Sequence, residues 1–117
     1  MIVIIAGGGH TGTQLASLLL AQRHEIRLIE YRREVLARIH RELPTEVIFE
    51  GNPTDPRVLE QVGIRQAQVL AACTTEDSDN LAICFVALFA RGWSGAGTAL
   101  IGVFPSRCAR NPVGRSF

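Results

Sequence analysis

The sequence predicts an α/β chain of the Rossmann-like, doubly wound kind, a parallel sheet of about five strands with helices on both faces. Three observations carry this. Apolar runs alternate with helix-period segments along the chain. The connections are short, which with right-handed crossovers makes parallel pairing the economical arrangement. The first apolar run, MIVIIA, opens directly onto the glycine turn GGGHTG.

The elements follow in order. Ile2 to Ala6 is an all-apolar strand, and Thr13 to Gln22 sets Leu15, Ala16, Leu18 and Leu19 on one helical face. EIRLIE, from Glu25 to Glu30, is strand-like with Ile26, Leu28 and Ile29 inward. Arg32 to Arg41 reads as an arginine-rich amphipathic helix carrying Val35, Leu36 and Ile39. Glu46 to Glu50 is a third strand. Asp55 to Val62 is a short helix, with Asp55 as cap and Pro56 in its first turn. Ala67 to Cys73 is a fourth strand. Ser78 to Arg91 is a helix introduced by the acceptor-rich TTEDSD. Thr98 to Phe104 is a fifth strand. A glycine-rich stretch with Trp93 begins at Arg91, so 91–117 reads as an atypical or truncated end to a single domain.

Composition narrows the chemistry. The 117 residues suit one domain with a sizeable core, and 47% hydrophobic with 20% charged residues is ordinary for a soluble protein. A net charge of +1 gives no reason to expect nucleic acid as a partner. Every basic residue is arginine apart from the histidines, which removes lysine chemistry and the lysine of a Walker phosphate loop. Cys73, Cys84 and Cys108 form no metal pattern and read as thiols of a reducing compartment. The longest apolar run, LAICFVALFA, has ten residues and is too short to span a bilayer. With no leader visible, the expectation is a cytoplasmic protein.

The glycines Gly7, Gly9 and Gly12 make GxGxxG between a strand and a helix, with Gly8 in addition. In such a loop the first glycine permits the turn, the second lets a pyrophosphate approach, and the third lets the helix pack closely. The helix N-terminus then offers free N–H groups to phosphate. Glu30 closes the second strand 18 residues beyond Gly12, where a carboxylate can accept from both hydroxyls of an adenine ribose. That favours NAD or an adenosine nucleotide over NADP; Arg32 and Arg33 pull the other way, since either could reach a phosphate. His10 either donates to a phosphate from the loop or faces solvent. His24 and His40 read as surface residues. Asn52 follows the third strand and either meets an adenine edge or caps its own turn. Thr74 ends the fourth strand at the same sheet edge. Asp77, Asp79 and Asn80 follow, with helix capping open for each.

Together the pieces GGGHTG with LASLL, Glu30, GNPTD at 51–55, LEQVGI at 59–64, VLAACT at 69–74 and TTEDSDNL at 74–81 resemble the TrkA N-terminal, or RCK, domain over roughly Met1 to Ala90. The resemblance implies a Rossmann-like fold that binds NAD(H) or ATP/ADP as a regulatory ligand without turning it over. It implies a role in controlling a potassium transporter or channel, and pairing with further copies beneath a membrane subunit. It places Gly7, Gly9, His10, Thr11, Gly12, Glu30, Asn52, Thr74 and Asp77 around the ligand. This chain departs from the family pattern in having Asn52 where Asp is frequent, Gly102 where an arginine is expected, and a late Asn111-Pro112. It also ends before the family's sixth strand and second domain. The competing readings are the cofactor half of an NAD-dependent oxidoreductase and a scaffold that binds no ligand. Against the first stands Tyr31, the lone tyrosine, which has no lysine partner.

Overall fold

The computed structural model describes residues 1–90 and 99–102. Its strands are β1 (Ile2–Ala6), β2 (Glu25–Glu30), β3 (Ile48–Glu50), β4 (Val69–Ala72) and β5 (Ala99–Gly102). They form one parallel sheet in the order β3-β2-β1-β4-β5. The helices α1 (His10–Ala21), α2 (Arg33–Glu42), α3 (Pro56–Gln61) and α4 (Asp77–Ala90) lie in the crossovers. The chain winds outward from β1 through β2 to β3, then returns to β4 on the other side of β1. The connections therefore diverge at the carboxyl ends of β1 and β4, where a doubly wound sheet opens a crevice.

The strands fold as they do because both of their faces are covered. Val3 to Ala6 are all buried, and alternate residues join opposite layers. Ile4, Ala6, Leu70 and Ala72 pack with Leu59, Ile64, Ile83 and Ala87 beneath α3 and α4. Val3, Ile5, Leu28 and Ala71 pack with Ala16, Leu36 and Ile39 beneath α1 and α2. The cap expected at Asp55 forms: its Oδ1 accepts from the Arg57 amide at 2.9 Å, with Pro56 at the first helical position.

Three expectations need correction. His10 is not on the loop; it is the first residue of α1, and the Thr13 amide already bonds back to the Gly9 carbonyl at 2.9 Å. The intrinsic cost of glycine in a helix, about 1 kcal/mol, is overridden here by packing. Leu18 does not share the buried face; it is 63% exposed, because the face is set by Gly12, Thr13 and Ala16. Leu18 lies about 200° around the helix from Ala16. β3 starts at Ile48 rather than Glu46, since Thr45–Val47 forms a 3-10 turn in which the Val47 amide returns to the Pro44 carbonyl at 3.2 Å. β1 and β2 have the expected bounds, and the remaining boundaries shift by no more than two residues. Expectations for the side chain of Asp77, for Trp93 and Cys108, and for most of 91–117 lie outside the described residues. Among the described residues, no helix is long and apolar enough to cross a membrane.

Candidate functional site

The glycine turn is built by backbone contact. Gly7 has φ of +115°, a region that side chains avoid, and a Cβ there would lie 2.8 Å from the Cys73 carbonyl oxygen. A Cβ on Gly12 would collide with the carbonyl oxygen of Gly7. These two glycines bring β1, α1 and the end of β4 together. Gly9 differs: a Cβ there would meet nothing within 4 Å. Its lack of a side chain is not required by the protein's own packing, and the space beside it is open to a ligand. Gly9 also precedes α1 with no side-chain cap, so the first-turn N–H groups have no intrahelical acceptor. His10 and Thr11 are both exposed.

Gly8 is the most tightly held peptide of the turn. Its amide donates to Glu30 Oε1 at 2.7 Å. Its carbonyl accepts from Thr13 Oγ1 at 3.1 Å and from Arg38 Nη2. The part played by Arg38 was not readable in the sequence, where it is one arginine among several on α2. Its Nε is buried with no partner among the described residues.

Glu30 is 2% exposed. Oε2 accepts from the amides of Tyr31 and Arg32, both at 2.9 Å. The Arg32 guanidinium closes over the carboxylate, with Nε to Oε2 and Nη2 to Oε1 both at 3.0 Å. Burial alone would push this carboxyl up. The hydrogen bonds from the Arg32 side chain and from the amides of Arg32, Gly8 and Tyr31 outweigh it and hold the group at about 2. Pairing with Glu30 raises the Arg32 guanidinium in turn.

A cleft opens at the carboxyl edge of β1, β2 and β4. Gly7, Glu30, Asn52 and Thr74 line it, together with Arg32 and Asp79. Four of the expected site residues therefore share one cleft, and the Gly9 end of the turn stands open beside α1. His10 instead lines a shallow groove on the outer side of α1, with Ser17, Leu18 and Glu42. Asn52 forms the turn considered for it: Oδ1 accepts from the Thr54 amide at 2.9 Å and the Thr54 hydroxyl at 2.7 Å. That leaves its amide nitrogen for a ligand. Thr74 is held by Asn80, a fully buried residue of α4. Asn80 Oδ1 accepts from the Thr74 amide at 2.8 Å, and Asn80 Nδ2 donates to the Thr74 carbonyl at 3.2 Å. Asn80 thus ties the end of β4 to α4 and sets the wall of the cleft. Asp77 opens α4.

Comparison with known proteins agrees with this architecture. The chain is 38% identical over 87 residues to the Trk system potassium uptake protein TrkA homolog of Pyrococcus abyssi; the match covers 74% of this chain and 38% of that protein. This chain therefore spans about two-fifths of the relative's length. Two solved structures share the fold. The Kef C-terminal domain of Shewanella denitrificans, in AMP-bound form, has a TM-score of 0.69 at 21% identity, over 87% of this chain and 58% of that one. The GsuK RCK domain has a TM-score of 0.68 at 20% identity, over 86% of this chain and 20% of that one. The model of the TrkA-N domain matches residues 3–92. That match covers more than half of the chain, and the chain belongs to the TrkA-N domain family.

Proposed function

We propose that this chain is a regulatory nucleotide-binding domain that controls a potassium transporter or channel. The observation that carries the reading is the juxtaposition at one sheet edge of an open Gly9, an uncapped α1 N-terminus and a cleft lined by Glu30, Arg32, Asn52 and Thr74. An adenine nucleotide, NAD(H) or ATP/ADP, suits it. Phosphates meet the first-turn N–H groups of His10, Thr11 and Gly12. The ribose lies at the Glu30 end, and Asn52, Thr74 and Asp77 flank the nucleoside. The potassium assignment is supported by the relative named as a potassium uptake protein.

The ligand acts by differential binding: it favours one arrangement of paired domains, and that arrangement is read by a membrane subunit. The domain works at the cytoplasmic face, as a homo-oligomer, without catalysis. Thermal shift with AMP, ADP, ATP and NADH, alongside an assay for cofactor oxidation, tests this. Stabilisation without turnover is expected. Oxidation of NADH with a small substrate would move the assignment to the oxidoreductase reading. A flat response to every nucleotide would leave only a scaffold.

A further inference from the structure

Arg38 reaches the glycine turn from α2. That helix lies directly against the turn, since a Cβ on Gly8 would stand 3.2 Å from the side chains of Val35 and Ile39. The part-buried Arg38 guanidinium donates through Nη2 to the Gly8 carbonyl. Thr13 Oγ1 donates to the same oxygen at 3.1 Å, and the Gly8 amide donates to Glu30 Oε1 at 2.7 Å. Gly8 is therefore fixed at both its N–H and its C=O.

The Gly8 carbonyl and the Gly9 amide belong to one planar trans peptide group, so they point in opposite directions. With the carbonyl held by Arg38 and Thr13, the Gly9 N–H is turned away from both. It has no acceptor among the described residues. Donors on a carbonyl oxygen polarise the peptide group and strengthen the N–H at its other end.

The charge on Arg38 is also unanswered. It forms no ion pair among the described residues, although Glu34 and Glu42 stand four residues away on either side in α2. Its Nε is buried and has no partner among those residues. Arg32 differs, because Glu30 already takes its guanidinium. A part-buried cation with an unpaired N–H is costly to hold, and an anion beside Gly9 offsets that cost.

We infer that Arg38 positions the glycine turn for phosphate. It orients the Gly8–Gly9 peptide so that the Gly9 amide meets the phosphate of a nucleotide, and it supplies positive charge behind that amide. It acts through the backbone and does not touch the nucleoside. This role rests on the nucleotide-binding reading above.

Nuclear magnetic resonance titration of the whole, nitrogen-15-labelled chain with adenosine and with AMP tests it. In the unmutated protein AMP should bind more tightly than adenosine and should move the Gly9 amide and Arg38 Nε–H resonances, whereas adenosine should leave both in place. Arg38→Gln removes the charge and keeps a polar side chain. It should weaken AMP about tenfold, while adenosine changes by less than about twofold. Arg38→Lys should recover part of the loss. The ratio of the two affinities is the readout, because a merely structural role for Arg38 would weaken both ligands alike, and an unchanged ratio would overturn the inference. So would AMP binding that leaves the Gly9 and Arg38 resonances of the unmutated chain where they were, a result that needs no variant to fold. Binding of neither ligand by the unmutated chain would remove the nucleotide reading itself, whereas AMP binding indifferent to Arg38 would keep that reading and remove only the role of Arg38.

Discussion

Glu30 holds its negative charge where almost no solvent reaches it, and the donors that permit this also tie β2 to the glycine turn. Its folded-state value lies below the ordinary one, so the stability it contributes is present above pH 4.5. That stability is lost as the pH falls from 4.5 toward about 2. A depression of that size corresponds to about 3 kcal/mol, at about 1.4 kcal/mol per pH unit. Urea unfolding at stepped pH should show this loss, and Glu30→Gln should flatten it while lowering stability at pH 7 by about 1–3 kcal/mol. If the variant and the unmutated chain weaken in parallel across that window, the acid sensitivity has another source. Gly9 makes the opposite case, since nothing in the protein contacts the position its side chain would take. Gly9→Val should leave the unfolding midpoint nearly unchanged and abolish nucleotide-induced stabilisation. Wild-type affinity in that variant would exclude the turn from phosphate binding.

The elements show which glycine serves the fold. The Gly12 Cα faces the Gly7 carbonyl, so a methyl group there meets rigid backbone and not a movable side chain. Gly12→Ala should destabilise the chain by about 1–3 kcal/mol or more, the cost of overpacking. Differential scanning calorimetry beside Gly9→Val checks it; equal, small effects of both would remove the close α1–β1 packing. From sequence, GxGxxG identified the turn and its neighbours, and the apolar runs located all five strands. The cap at Asp55 was legible because it depends on residues next to one another. What was not legible depends on distant partners. Asn80 reaches back to Thr74, and Arg38 reaches across to Gly8. Each belongs to a common residue type on a polar stretch, and no local pattern singles it out. The start of α1 was missed for a related reason, since glycine next to a turn looks like loop until its packing partner is known.

For the whole molecule, the outer face of α4 bears on assembly. Leu81 and Phe85 are one helical turn apart, and they are 54% and 55% exposed. The exposure of Phe85 favours an interface, because the core beneath α4 is filled by Ile83 and Ala87. α4 also begins at the wall of the cleft at the sheet edge, where Asn80 holds Thr74, so a ligand that bears on Thr74 would bear on the helix that carries this face. Such a connection supports coupling between nucleotide and self-association of about 1–3 kcal/mol, or roughly 5–150-fold in the pairing constant. Sedimentation velocity over a concentration series, with and without AMP, ATP and NADH, should show association that changes with the nucleotide. Phe85→Glu with Leu81→Gln should give a monomer that still binds nucleotide, because both side chains stand outside the core. If the double variant associates as the unmutated chain does, the interface lies elsewhere. If the unmutated chain stays monomeric with every nucleotide, pairing does not transmit the signal.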